Sequence, residues 1–160
     1  EKCSINKNMT RNIMDGLSYE LLLNENDVSI PQLQAIYQLP EISRYISISD
    51  NYFLYVIRTK NVYFYKVNNN SEMIGAIHLE KHENLLYMDI LIFPQFQRKG
   101  YGTKVIKDIQ NDIFKLDYEK IEIYIDNSNV ASIKLFENAG FTQTSREDEL
   151  INFSYQRRIY

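Results

Sequence analysis

The stretch Leu91-Ile92-Phe93-Pro94-Gln95-Phe96-Gln97-Arg98-Lys99-Gly100-Tyr101-Gly102-Thr103 places the end of a strand, a tight loop and a helix start in succession. The chain holds only five glycines in 160 residues, so two of them one residue apart need a physical reason. Backbone N–H groups at a helix N-terminus have no partners inside the helix and carry partial positive charge. Glycines there let the backbone approach an anion, and Arg98 and Lys99 add charge, so the loop suits a phosphate or pyrophosphate. The spacing excludes two common loops. A dinucleotide fingerprint needs a third glycine, or an alanine, where Val105 stands, and a triphosphate loop needs Gly-Lys-Ser/Thr after four residues. A plain turn before a helix is the bland alternative, and the glycine pair alone does not decide against it.

Working outward, Val105, Ile106, Ile109 and Ile113 share one face of a helix expected over Gly102–Leu116. Lys120–Ile125 alternates Ile121, Ile123 and Ile125 against Glu122 and Tyr124, which is the pattern of a half-buried strand. Asn129–Ala139 reads as a second helix closed by Gly140 in a left-handed cap. Strands at about Thr142–Arg146 and Leu150–Arg158 complete the chain. Towards the N-terminus, Met73–Glu80 and Leu85–Phe93 read as long strands after a turn at Asn68-Asn69-Asn70. Tyr52–Arg58 and Val62–Val67 are rich in aromatic and β-branched residues and are also predicted as strands. Ser29 before Pro31 marks a helix start, Pro40 breaks that helix, and a short second one runs through Ile42, Tyr45 and Ile46. Leu17–Leu23 is the first strand. Residues 1–15 are polar and aperiodic and read as a flexible leader or expression remnant, leaving one domain over 16–160.

Composition excludes several classes of function. With 44% hydrophobic and 24% charged residues the chain is globular. No apolar run approaches the ~20 residues of a membrane span. A net charge of −3 argues against a general nucleic-acid binder. One cysteine, Cys3, makes no internal disulfide and no zinc cluster, so a reducing cytoplasm is expected. His78 and His82 lack an evident third ligand, and no metal is expected. Glu147-Asp148-Glu149 reads as a solvated hairpin, with attraction of a cationic substrate as the alternative.

The glycine loop Gln97-Arg98-Lys99-Gly100-Tyr101-Gly102 is followed about thirty residues later by Asn129-Val130-Ala131-Ser132 and then Leu135-Phe136-Glu137-Asn138-Ala139-Gly140-Phe141. Together they resemble the GNAT superfamily of acyl-coenzyme A N-acyltransferases. The resemblance runs from about Leu17 to Tyr160 and is densest between Ile90 and Phe141. Tyr19-Glu20-Leu21-Leu22-Leu23, Asp27 and Leu39–Ile46 look like the branch containing the ribosomal-protein N-terminal acetyltransferases. The resemblance implies an α+β fold with a mostly antiparallel central sheet splayed between its fourth and fifth strands. Coenzyme A would lie in that cleft. Gln97, Arg98, Lys99, Gly100, Tyr101, Gly102 and Thr103 would bind the pyrophosphate. Ile90, Leu91 and Ile92 would pair with the pantetheine arm, a backbone N–H near Ile92 would polarise the thioester carbonyl, and Asn129 would hydrogen-bond the pantetheine. No third glycine or metal enters this reading.

The implied reaction moves an acetyl group from acetyl-coenzyme A to an amine by direct attack in a ternary complex. An amine attacks only when neutral. At pH 7 a lysine-like amine is neutral about once in a few thousand molecules, an α-amine about once in ten. A base therefore helps, and Asp89, Glu122 and Tyr124 are the candidates, although Asp89 and Glu122 also read as ordinary strand residues. Family members often carry a tyrosine where this chain has Phe136, which removes the usual acid for the thiolate. Ser132, one turn earlier on the same helix face, is the candidate substitute, with a backbone-capping role as its alternative. The acceptor is a protein N-terminus, a polyamine or another small amine. Nucleic acid and membrane are not expected partners, and monomer and homodimer both fit. A coenzyme A-binding module without catalysis, and a transferase of longer acyl groups, are the competing readings.

Overall fold

The structure is a computed structural model that describes residues 9–12 and 16–158. The chain divides into two compact units, one ending at His78 and the other beginning at Leu79.

In the first unit β1 (Met9–Asn12) pairs antiparallel with β2 (Leu17–Leu21), Met9 opposite Glu20. A strand thus lies within the span where the sequence predicts a leader; residues 1–8 and 13–15 of that span lie outside the described residues. β2 pairs antiparallel with β3 (Val62–Asn69), Leu17 opposite Asn69 and Leu21 opposite Tyr65. The turn into β4 (Glu72–His82) uses Asn70 at φ 56°, so Asn68 and Asn69 belong to the strand rather than to the expected turn. Three helices intervene: α1 (Ile30–Tyr37), α2 (Pro40–Ser43) and α3 (Tyr52–Arg58).

α3 corrects the sequence reading, which makes 52–58 a strand. Composition favours a strand, but Phe53 and Val56, three apart, are the buried pair, and that is helical spacing. Phe53 meets Phe64 of β3 edge to face at 5.5 Å, and Tyr37 of α1 at 6.3 Å. Those rings bury one stripe of α3, and packing overrides propensity.

The second unit holds β5 (Leu85–Ile92), α4 (Tyr101–Gln110), β6 (Lys120–Asp126), α5 (Val130–Asn138), β7 (Thr142–Glu147) and β8 (Leu150–Gln156). Its strand order is β5-β6-β8-β7. β8 pairs antiparallel with both β6 and β7. β5 and β6 are parallel, as a strand–helix–strand unit requires. Their pairing covers only Leu85–Tyr87 with Lys120–Glu122. Beyond that fork the two strands run on without a shared ladder, which is the splay expected between the fourth and fifth strands of the family. This α+β arrangement agrees with the fold class read from the sequence.

α4 stops earlier than its hydrophobic spacing suggests, at Gln110 rather than Leu116. Asp112 takes φ 52°, and its carboxylate accepts the N–H groups of Leu116 (2.9 Å) and Asp117 (3.2 Å). An aspartate offering its side chain to nearby backbone donors competes with continued helix. Ile121, Ile123, Ile125, Ile151, Phe153 and, more partly, Tyr155 form one side of β6 and β8. Phe141 packs on Tyr155 at 5.4 Å and on Phe136 of α5 at 5.1 Å, so the end of α5 covers that apolar side.

Candidate active site

Every sequence-predicted site residue, from Asp89 to Phe136, falls in the second unit. β5 delivers the first group. Along it the buried positions are Leu86 and Met88, then Leu91 and, just past the strand, Phe93. The period of two slips by one residue at Asp89–Ile90, leaving Asp89 exposed and Ile90 half-buried beside the fork. Gln97 reaches back from the loop, its Nε2 donating to the Ile92 carbonyl at 2.9 Å. That bond ties the glycine loop to the end of the strand.

Two left-handed residues shape the loop: Arg98 at φ 62° and Gly100 at φ 86°. The two glycines then do different work. A Cβ at Gly100 would meet nothing within 4 Å, so the space beside it is open, and its conformation is what favours glycine. A Cβ at Gly102 would come 3.1 Å from Leu135 Cδ2 and 3.9 Å from Ile92 Cγ1. Gly102 is there so that α4 can lie close to α5 and β5. The first bond of α4 runs from the Lys104 N–H to the Gly100 carbonyl at 3.2 Å. The N–H groups of Gly102 and Thr103 precede it and have no carbonyl within the helix to reach. With exposed Arg98, Lys99 and open space at Gly100, the loop fits a phosphate-bearing group. Lys99 Nζ stands 5.9 Å from the Phe96 ring centroid, which holds its stem over the loop.

α5 delivers the second group. Asn129 is its N-cap, the side-chain oxygen accepting the Ser132 N–H at 3.2 Å. The cap is therefore Asn129, not Ser132, and what Asn129 retains for a cofactor is its NH2. Ser132 is half-buried on the first turn. Phe136 is 2% exposed in the apolar core. Its ring lies against Phe141, so the position of the usual family tyrosine is a packing position here.

β6 delivers the third. Glu122 sits at the last paired position before the fork, opposite Tyr87. Its Oε1 lies 2.9 Å from Lys120 Nζ. Burial, then the Glu122 and Tyr124 charges, raise the Tyr87 phenol above its ordinary value, with Lys120 opposing. Tyr87 thus stays protonated, a hydrogen-bond donor, across the neutral range. The Tyr87 and Tyr124 rings stack at 6.5 Å. Tyr87 escapes the sequence reading because only the β5–β6 register puts it beside Glu122, whereas Lys120 lies two residues before Glu122 on the same strand. β5 joins the loop to the fork, and α5 lies against the start of α4 through Leu135 beside Gly102.

The two histidines have separate partners. Tyr52 Oη and His78 Nδ1 are 2.5 Å apart in the first unit, and His82 lies 3.6 Å from Glu80 and against the Tyr87 ring. Among the described residues no three His, Cys, Asp or Glu side chains gather as a metal site. No helix there is long and apolar enough to cross a membrane. Asp148, at φ 52°, and Glu149 form the exposed turn between β7, which ends at Glu147, and β8.

Comparison with known proteins places this geometry. The N-alpha-acetyltransferase 30 of Xenopus laevis is 24% identical over 141 residues, covering 77% of this chain and 50% of that protein. The human protein of the same name is 26% identical over 68% of this chain and 33% of its own length. This chain therefore spans half or less of the curated relatives it matches. Among solved structures, spermidine N-acetyltransferase from Vibrio cholerae, in complex with CoA and spermine, superposes with a TM-score of 0.75 at 16% identity. That match covers 89% of this chain and 96% of the other. The ribosomal-protein-S18-alanine N-acetyltransferase of Escherichia coli gives 0.68 at 16% identity, covering 89% and 96%. The acetyltransferase (GNAT) domain matches residues 17–142. With most of its length matched to that domain, the forked strands and the glycine loop included, this chain belongs to the GNAT family of acetyltransferases.

Proposed function

We propose that the chain transfers an acetyl group from acetyl-coenzyme A to an amine in a ternary complex, as one domain over 16–160. The observation that carries this is the three-residue β5–β6 pairing, which opens a fork at Tyr87 and Glu122 on the same strand that leads into the glycine loop. In the reaction the amine nitrogen bonds the thioester carbon, the carbon–sulfur bond breaks, and the proton lost by the amine balances the one the sulfur gains.

The chain's own residues divide that work. Gly100, Tyr101, Gly102 and Thr103, with Gln97, Arg98 and Lys99, hold the pyrophosphate. Ile90, Leu91 and Ile92 align the arm, and Asn129 steadies it from α5. Glu122 at the fork, or Asp89 beside it, takes the amine proton. Ser132 serves the sulfur in place of the absent hydroxyl at Phe136. The acceptor reading favoured by the curated relatives is a protein N-terminus, and the superposed spermidine enzyme supports a polyamine. A cytoplasmic monomer or homodimer fits this role. Phe136, buried in the core, favours a second reading: a coenzyme A-binding module without turnover.

Thiol release from acetyl-coenzyme A, followed with short peptides, polyamines and simple amines, separates the two. Release that depends on the amine supports the transferase. Binding of coenzyme A with no release across the panel supports the module.

A further inference from the structure

Two oxygens of β8 stand out against the usual rule that buried polar atoms find partners. Asn152 and Ser154 are only 8% and 7% exposed, and Asn152 Oδ1 and Ser154 Oγ have no hydrogen-bond partner among the described residues. Two residues apart on one strand, they share a side of the sheet. The β6–β8 register puts Ser154 opposite Glu122 and Asn152 opposite Tyr124. Tyr87 joins the same side through its pairing with Glu122. The other side of these strands is the apolar one, covered through Phe141 by the end of α5. α4 is tied to α5 there, Gln110 Nε2 donating to the Ala139 carbonyl at 2.7 Å.

A ternary transfer needs two approaches to one carbon, and the cofactor loop belongs to the α4 side. The polar side of β6 and β8 is left for the acceptor. Its two unpartnered atoms are a carboxamide oxygen, which only accepts, and a hydroxyl oxygen, which can accept; the neighbouring Glu122 carboxylate is already paired with Lys120. The complement is an N–H donor. Resting on the transferase reading above, we infer that Asn152 and Ser154 bind a second N–H group of the acceptor. The acceptor class is then an amine carrying a further N–H donor, roughly 5–7 Å from the reacting nitrogen by strand spacing and rise. A polyamine nitrogen and the first amides of a peptide N-terminus both supply one.

The test is calorimetric binding of spermidine, an alanine tetrapeptide and n-butylamine to protein saturated with coenzyme A, repeated on Asn152→Ala and Ser154→Ala. The native protein is expected to bind spermidine or the tetrapeptide at least tenfold tighter than butylamine. Each substitution should remove most of that preference. Coenzyme A affinity should stay within twofold, and the melting temperature should hold or rise, because an unpartnered buried atom has been deleted. Asn152→Asp distinguishes the sources: it tightens binding of a cationic polyamine and leaves or weakens that of a neutral peptide amide. Equal affinity for all three probes, or a preference that survives both alanine variants, overturns the inference. So does a loss accompanied by a lower melting temperature and weaker coenzyme A binding. Preference without any acetyl transfer keeps the inference and sinks the transferase reading, whereas transfer unaffected by either variant does the reverse.

Discussion

At the scale of single residues, the two loop glycines separate strain from packing. Gly100→Ala meets no atom within 4 Å but forces an L side chain to φ 86°, at a cost of roughly 1–2 kcal/mol. Gly102→Val drives methyl groups into Leu135, at about 1–3 kcal/mol for overpacking. Urea unfolding of both variants, each with and without Leu135→Ala, is expected to show rescue of Gly102→Val and none of Gly100→Ala. Equal rescue would mean that both glycines serve packing. The glycine pair was legible in the sequence because glycine is so scarce. Its division of labour was not, since Leu135 lies more than thirty residues away and only the fold brings it to Gly102. At the fork, Glu122→Gln is expected to lower turnover by about 10²–10⁴ with coenzyme A binding retained, if Glu122 is the base. An unchanged rate would move that role to Asp89.

Single elements depend on charge placed between them. Lys66 of β3 is buried between Glu20 of β2 at 3.2 Å and Asp27, ahead of α1, at 3.1 Å. Removing the ammonium leaves two carboxylates facing each other, so Lys66→Met is expected to destabilise by about 3 kcal/mol in urea unfolding. Burial pushes the Asp27 carboxyl up, but the Ser29 hydroxyl at 2.6 Å, the Ser29 N–H at 2.9 Å and Lys66 outweigh it, and the net shift is downward. A carboxyl lowered in the folded state adds stability above its unfolded value near ~3.9, and that share is lost as pH falls through the folded value. Urea midpoints are expected to hold steady above about pH 5 and to fall below about pH 4, with a smaller fall in Asp27→Asn. An identical fall in that variant would assign the acid sensitivity elsewhere. The elements most legible in the sequence were those whose pattern and caps agree, such as α5 between Asn129 and Gly140. α3 was not, because five aromatic and β-branched residues out of seven look like a strand until Phe64 and Tyr37 select the stripe of Phe53 and Val56.

For the whole molecule, sequence motifs led to the cofactor loop, whereas the acceptor side emerged only from strand register. Asn152 and Ser154 read as ordinary polar strand residues until their pairing with Tyr124 and Glu122 puts them beside the fork. Chemistry on the loop is local in sequence, and chemistry on the sheet is not. On the proposed reading, this fork and loop transfer acetyl to an amine although Phe136 carries no hydroxyl. The direct measurement is thiol release from acetyl-coenzyme A at neutral pH, with mass detection of the acceptor, over peptides with free N-termini, polyamines and simple amines. Release is expected in step with an acceptor that gains one acetyl group, and both are expected to be lost when Gly100 and Gly102 are replaced. Coenzyme A bound at the loop with no amine acetylated anywhere in the panel would contradict it.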